Sequence, residues 1–185
     1  DFIHMYYGNA GAADGQDAVN VWNADHQAVW HLNETSGNNT DSTVNGDDIN
    51  TFFGGVDQNA TGQIGGANDL DGTDDYMSRS GGGTNLGITG DVTLEAWVYM
   101  ENLPAADWAA IIEFAGSGDT EAENNLYSMA VHADGEVAFG HESGAGNDHF
   151  FDTGVILNAG QWYHVTSVRD VSAKDWTLYI DGAQA

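Results

Sequence analysis

Short runs with a two-residue hydrophobic period, each ended by Gly, Asn or Asp, constrain this chain more than any other feature. In WTLYIDG (176–182), Trp176, Leu178 and Ile180 alternate with Thr177, Tyr179 and Asp181, the pattern of a strand with one buried face. Asp181-Gly182 is a hairpin-turn pair. Similar runs are AVWHL (28–32), VTLEAWVYM (92–100), WAAIIEFAG (108–116), LYSMAVHADGEVAFGHES (126–143) with a turn at Asp134-Gly135, and QWYHVTSVRD (161–170). With 25 glycines, one proline and nearly no helix signal, the pattern predicts an all-β chain of two packed antiparallel sheets. The one helix-length candidate, 17–26, contains Val19, Val21 and Trp22, which suit a strand or an irregular wrap equally well.

The last hairpin raises a question of completeness. Only Ala183, Gln184 and Ala185 follow its turn, too few to pair along the whole of 176–180. The opening run FIHMYY (2–7) is apolar on both faces, and GNAGAADGQ (8–16) is a flexible tether. Residues 1–16 are therefore expected to form a detachable strand and linker, and 17–185 the sandwich. Phe2, Ile3, His4, Met5, Tyr6 and Tyr7 would add as a donor strand to the edge carrying Trp176, Leu178 and Ile180 of another copy. Such a head-to-tail exchange need not close and would build a filament. Two alternatives stand beside it: the chain is a piece of a larger surface protein, or the sandwich closes without further strands.

Charge narrows the partners. Twenty-nine acidic residues against three Lys plus Arg give a formal net charge of -26, which excludes the basic footprint that nucleic acid or an anionic membrane needs. Self-repulsion on this scale calls for screening by salt or bound cations, so a saline or calcium-containing medium and a marine or halophilic prokaryotic source are expected. No run approaches the roughly 18 to 20 apolar residues of a membrane span. DFIHMYYGNA lacks the basic and apolar regions of a signal peptide, and the absence of cysteine leaves the redox compartment unread.

VWHLNE, GQIGGANDLDGTDDYM, TLEAWVYM, GQWYHVTSVRD and WTLYIDG, in this order and spacing, resemble the laminin-G-like branch of the concanavalin A-like lectin/glucanase superfamily over about residues 28–182. Residues 1–22, with MYYGN, resemble the last strand of a β module that precedes such domains in prokaryotic surface proteins. The resemblance implies a jelly-roll sandwich that in the family continues past the last Asp-Gly with further strands. Asn68 stands where the family usually has an apolar residue.

Glucanases of this superfamily need two carboxylates on one strand face, about 5 Å apart for retention. Glu95, with Thr93 and Trp97 on its face, and Glu113 each stand alone, so a glycoside hydrolase is the least expected activity. Calcium takes six to eight oxygen ligands, and NETSGNNTDSTVNGDD (33–48) and DLDGTDD (69–75) are rich in them. The resemblance also implies structural calcium near these motifs; among their side chains Glu34, Asp41, Asp71 and Asp74 are the candidate ligands, and the competing role of the aspartates is to cap a turn. The seven histidines show no zinc-binding spacing. Trp108, Phe150 and Phe151 lie near loop signals and could stack on sugars, whereas Trp30, Trp97, Trp162 and Trp176 read as core. Asn33, Asn38 and Asn59 head Asn-x-Thr sequons and fit an extracellular location. The expectation is a non-catalytic extracellular structural or adhesive module, polymerising or joined to other surface modules; the alternative is a calcium-supported, lectin-like glycan-binding module.

Overall fold

The computed structural model describes residues 11, 18–80, 85–105, 108–114, 126–142 and 148–185. One helical turn, α1 (Ala18–Val21), precedes twelve strands: β1 (Thr51–Phe53), β2 (Asp57–Thr61), β3 (Gly66–Asp69), β4 (Tyr76–Ser78), β5 (Val92–Tyr99), β6 (Ala109–Phe114), β7 (Tyr127–Val131), β8 (Glu136–Glu142), β9 (Asp148–Ile156), β10 (Trp162–Asp170), β11 (Asp175–Ile180) and β12 (Ala183–Gln184). All pairings are antiparallel. Two four-stranded sheets, β12-β11-β10-β5 and β6-β7-β8-β9, form the sandwich; β1-β4 and β2-β3 are small two-stranded sheets. No helix among the described residues is long and apolar enough to cross a membrane.

The alternating runs decide which faces meet. On β5, Val92 and Leu94 are buried while Thr93 and Glu95 are exposed. On β10, Val165 and Ser167 are completely buried, and Leu178 of β11 lies opposite Ser167. These side chains meet Tyr127, Met129 and Val131 of β7 and Val137 and Phe139 of β8, so the core draws on both sheets. Phe139 stacks on Trp176 across the interface at 5.0 Å between ring centroids. Fully buried apolar side chains such as Met129 and Val165 each contribute about 1.5–3 kcal/mol to this packing.

Arg169 points into the core. Its guanidinium donates to the carbonyls of Gly90 and Ile88 ahead of β5 and to that of Leu126 ahead of β7, and it lies 5.5 Å from the Trp176 ring. Burial lowers its pKa and neighbouring Asp91 raises it, with a net lowering. A cation here tethers loops belonging to both sheets.

The predicted hairpin turns form. Gly135, between β7 and β8, has φ +89, and a Cβ there would meet the Leu157 carbonyl oxygen at 2.4 Å. Asp181 and Gly182 both have positive φ, 52 and 78, as a two-residue turn of the primed type requires. β12 then pairs with β11 at Tyr179–Gln184 and Ile180–Ala183. The donor run Phe2 to Tyr7 lies outside the described residues. Of its expected acceptor strand, Trp176, Leu178 and Ile180 pack into or against the core cluster, the buried face that the alternation predicts.

Residues 28–32, expected as a strand, form only a single bridge between Trp30 and Asp41. The correction has a local cause. The adjoining loop is organised by side chains: Asp41 Oδ1 accepts from the amides of Val29 and Thr43, and Oδ2 accepts from the Asp47 amide and the Thr43 hydroxyl. Within 28–32 the Val29 amide is thereby given to a carboxylate rather than to a ladder partner. Asp47 is itself buried, paired with Arg79 at 2.7 Å and with Asn85 Nδ2 at 2.6 Å. Asn68, the departure from the family pattern, donates to Met77 Sδ at 2.7 Å, while its Oδ1 is buried without a partner.

Candidate functional site

The outer face of the β12-β11-β10-β5 sheet carries an aromatic strip that follows from strand register. Thr93 and Glu95 are solvent-facing, so Trp97 and Tyr99, in phase with them on β5, point outward too. They are 41% and 44% exposed. β10 sets His164 opposite Trp97 and Trp162 opposite Tyr99. The paired rings lie 5.1 Å and 5.4 Å apart, tilted by 48° and 47°. Successive rungs stand about 7 Å apart along the strand. The sequence reading placed Trp97 and Trp162 in the core; Trp97 is solvent-facing and Trp162 is half-buried beside Tyr99. The usable signal was phase: Glu95 and Thr93 share a face with Trp97, and the intervening Leu94, Ala96 and Val98 supply the core.

The strip has a polar end. A surface recess of about 510 Å³ is lined by Trp97, His164, Asp181 and Gly182. Asp181 is held there by its place in the β11–β12 turn: its Oδ1 accepts from the His164 amide at 2.9 Å, and its own amide donates to the His164 carbonyl at 2.9 Å. Glu95, opposite Thr166 and one rung along from Trp97, brings Oε2 to 4.0 Å from His164 Nε2. The site thus offers two ring surfaces, an imidazole and two carboxylates on a rigid sheet. Rings of this kind stack on the apolar face of a pyranose, and carboxylates accept from its hydroxyls.

The residues expected as sugar platforms do not share one surface. Trp108 packs edge-on against Phe150 at 4.8 Å and against His132 at 5.4 Å. Phe150 and Phe151 are consecutive on β9 and so face opposite ways, Phe151 lying opposite Phe139 and 47% exposed. A second recess, about 310 Å³, is lined by His132, Ala133, Asp134, Glu136 and Asp152, with His132 Nε2 3.4 Å from Asp152 Oδ1.

The expected metal ligands separate into two environments. Asp71 and Asp74 come together with Asp75, one carboxylate oxygen of each lying within 4.8 Å of the others. Both oxygens of Asp75 accept from loop amides, those of Gly55 and Asp71, and Asp71 Oδ1 accepts from the Thr73 amide at 2.7 Å. These bonds cap the loop through Asp71 and Asp75. Asp41 lies outside it and already accepts four hydrogen bonds; Glu34 Oε1 accepts from the Thr40 amide, and its Oε2 is buried without a partner. Asn33, Asn38 and Asn59 are exposed, and Asn33 Oδ1 accepts from the Gly66 amide at 2.6 Å. Glu95 and Glu113 stand in different sheets, so they do not form the two-carboxylate arrangement of a retaining glucanase.

Residues 71–185 match the Laminin_G_3 family model, described as the concanavalin A-like lectin/glucanases superfamily. No curated protein and no solved structure matches the chain.

Proposed function

The chain belongs to the Laminin_G_3 family of the concanavalin A-like lectin/glucanase superfamily, and from that premise we propose that it is a non-catalytic, extracellular glycan-binding module acting through the outer face of the β5–β10 pair. The observation that carries this reading is the exposure of Trp97 and Tyr99 beside His164 and Trp162 on one sheet face. A large aromatic kept in water contributes little to folding, and its use lies in what it can cover.

The test is a glycan array followed by titration of the best ligand against wild type and Trp97→Ala. Binding should weaken about thirtyfold or more, the equivalent of about 2 kcal/mol for a buried aromatic anchor, with an unchanged thermal midpoint. Retention of full affinity by the variant, or no glycan bound by the wild type, overturns the reading.

A second reading is self-assembly by strand addition at β11. β12 covers only Tyr179 and Ile180 of that strand, so Trp176 and Thr177 pair with β10 alone among the described strands.

A further inference from the structure

The electrostatics of the same recess specify its ligand more narrowly, and this inference rests on the glycan-binding reading. Across one rung of the sheet stand Trp97, His164 and Asp181, because His164 lies opposite Trp97, donates its amide to the Asp181 carboxylate and accepts the Asp181 amide at its carbonyl. Glu95 approaches the imidazole from the neighbouring rung. Two carboxylates therefore flank one aromatic floor.

No Lys or Arg of the chain stands beside them. The protein has three Lys plus Arg. Arg79 is paired with buried Asp47, and Arg169 is turned into the core against backbone carbonyls. Lys174 sits in the turn before β11, at the opposite end of that strand from Asp181, about 20 Å away along it. A net charge of -26 adds a field of the same sign. Uronates and sulfated sugars meet repulsion here; a cation over the Trp97 face meets attraction from the ring and from both carboxylates.

We infer that the Trp97–His164–Asp181 recess selects oligosaccharides of 2-amino sugars carrying free, protonated amines. In such a sugar the amine lies on the ring carbon beside the linkage, so a pyranose stacked on Trp97 places its ammonium within the reach of Glu95 or Asp181. Stacking supplies affinity and the carboxylates supply the choice among sugars.

The experiment titrates three tetrasaccharides at low salt and mildly acidic pH, where the 2-amino groups are protonated: glucosamine, its N-acetylated counterpart, and galacturonate. The glucosamine tetramer should bind about tenfold more tightly than the N-acetylated one, and the galacturonate tetramer not measurably. Glu95→Gln, an exposed and nearly isosteric change, should shrink that preference to within about threefold. Trp97→Ala should weaken both amino-sugar ligands together. Equal or tighter binding of the N-acetylated tetramer, still lost in Trp97→Ala, overturns the amine selectivity and leaves the glycan-binding function standing. Tetralysine binding as tightly as the glucosamine tetramer, with both indifferent to Trp97→Ala, reduces the effect to bulk charge and overturns the inference. Failure of all three sugars to bind, together with a blank glycan array, removes both readings.

Discussion

Asp41 shows how a single side chain replaces a piece of secondary structure. It is 5% exposed and accepts four hydrogen bonds, three of them from backbone amides. Burial pushes its carboxyl up, but the amides of Val29, Thr43 and Asp47 and the Thr43 hydroxyl outweigh it and hold the pKa below the ordinary 3.8. A depressed folded-state pKa contributes stability that is present above the unfolded value and is lost as pH falls through the folded one. Acid unfolding of the wild type should therefore gain a contribution below about pH 4 that Asp41→Asn lacks. The same variant, whose amide sets an NH2 against N–H donors, should lose about 2–4 kcal/mol at neutral pH by urea denaturation. A variant as stable as wild type would show that the loop does not depend on this carboxylate. The loop's Asp and Asn content was visible as turn chemistry, but nothing in the local pattern said that Asp41 would be buried, because its donors come from positions 2 to 12 residues away.

Among the elements, the hairpins were the most legible. Asp134-Gly135 and Asp181-Gly182 mark their turns because few residues other than Gly, Asn and Asp tolerate positive φ. The strands at 92–99, 109–114 and 162–170 fall where alternation placed them, whereas 28–32 keep a single bridge, the Val29 amide donating to the Asp41 carboxylate instead. Strand phase also held the information that identifies the aromatic strip. Reading each Trp by its own hydrophobicity sends it to the core; reading it with Glu95 and Thr93 on its face sends it to water. The side of β11 at Trp176 and Thr177, unpaired by β12 among the described strands, supplies its own prediction. If residues 2–7 add to that edge in a neighbouring copy, light scattering should find large particles that fall to monomer mass when residues 1–9 are removed. A monomer before and after removal ends the self-assembly reading.

For the whole molecule, charge is the dominant quantity. Two of the three Lys plus Arg are committed inside the fold, Arg79 to Asp47 and Arg169 to carbonyls, leaving a surface whose titratable charge is almost entirely negative. Surface repulsion of this kind is screened over roughly 10 Å at 0.1 M salt. Raising sodium chloride from about 0.05 M to about 1 M should lift the thermal midpoint by roughly 4 °C or more, about 1–2 kcal/mol for a chain of this size. A midpoint that stays flat or falls would mean that the carboxylates are already neutralised in the fold. The packing tolerates the charge because the inner faces largely exclude it: among the described residues of the two large sheets, Arg169 is the buried charged side chain, set beside an apolar and aromatic cluster and the neutral Ser128 and Ser167.

By itself the sequence determined the β class, the superfamily, most strand positions and two hairpin turns, because each rests on interactions between residues close along the chain or on motifs in a fixed order. Which Trp faces water, which Asp is buried and which carboxylates share a recess were decided by the tertiary structure. Trp97, His164 and Asp181 are 67 and 17 residues apart and become neighbours only through the β5–β10 and β10–β11 pairings. Register is a property of two strands at once, and a pattern read along one strand can give its phase but not its partner.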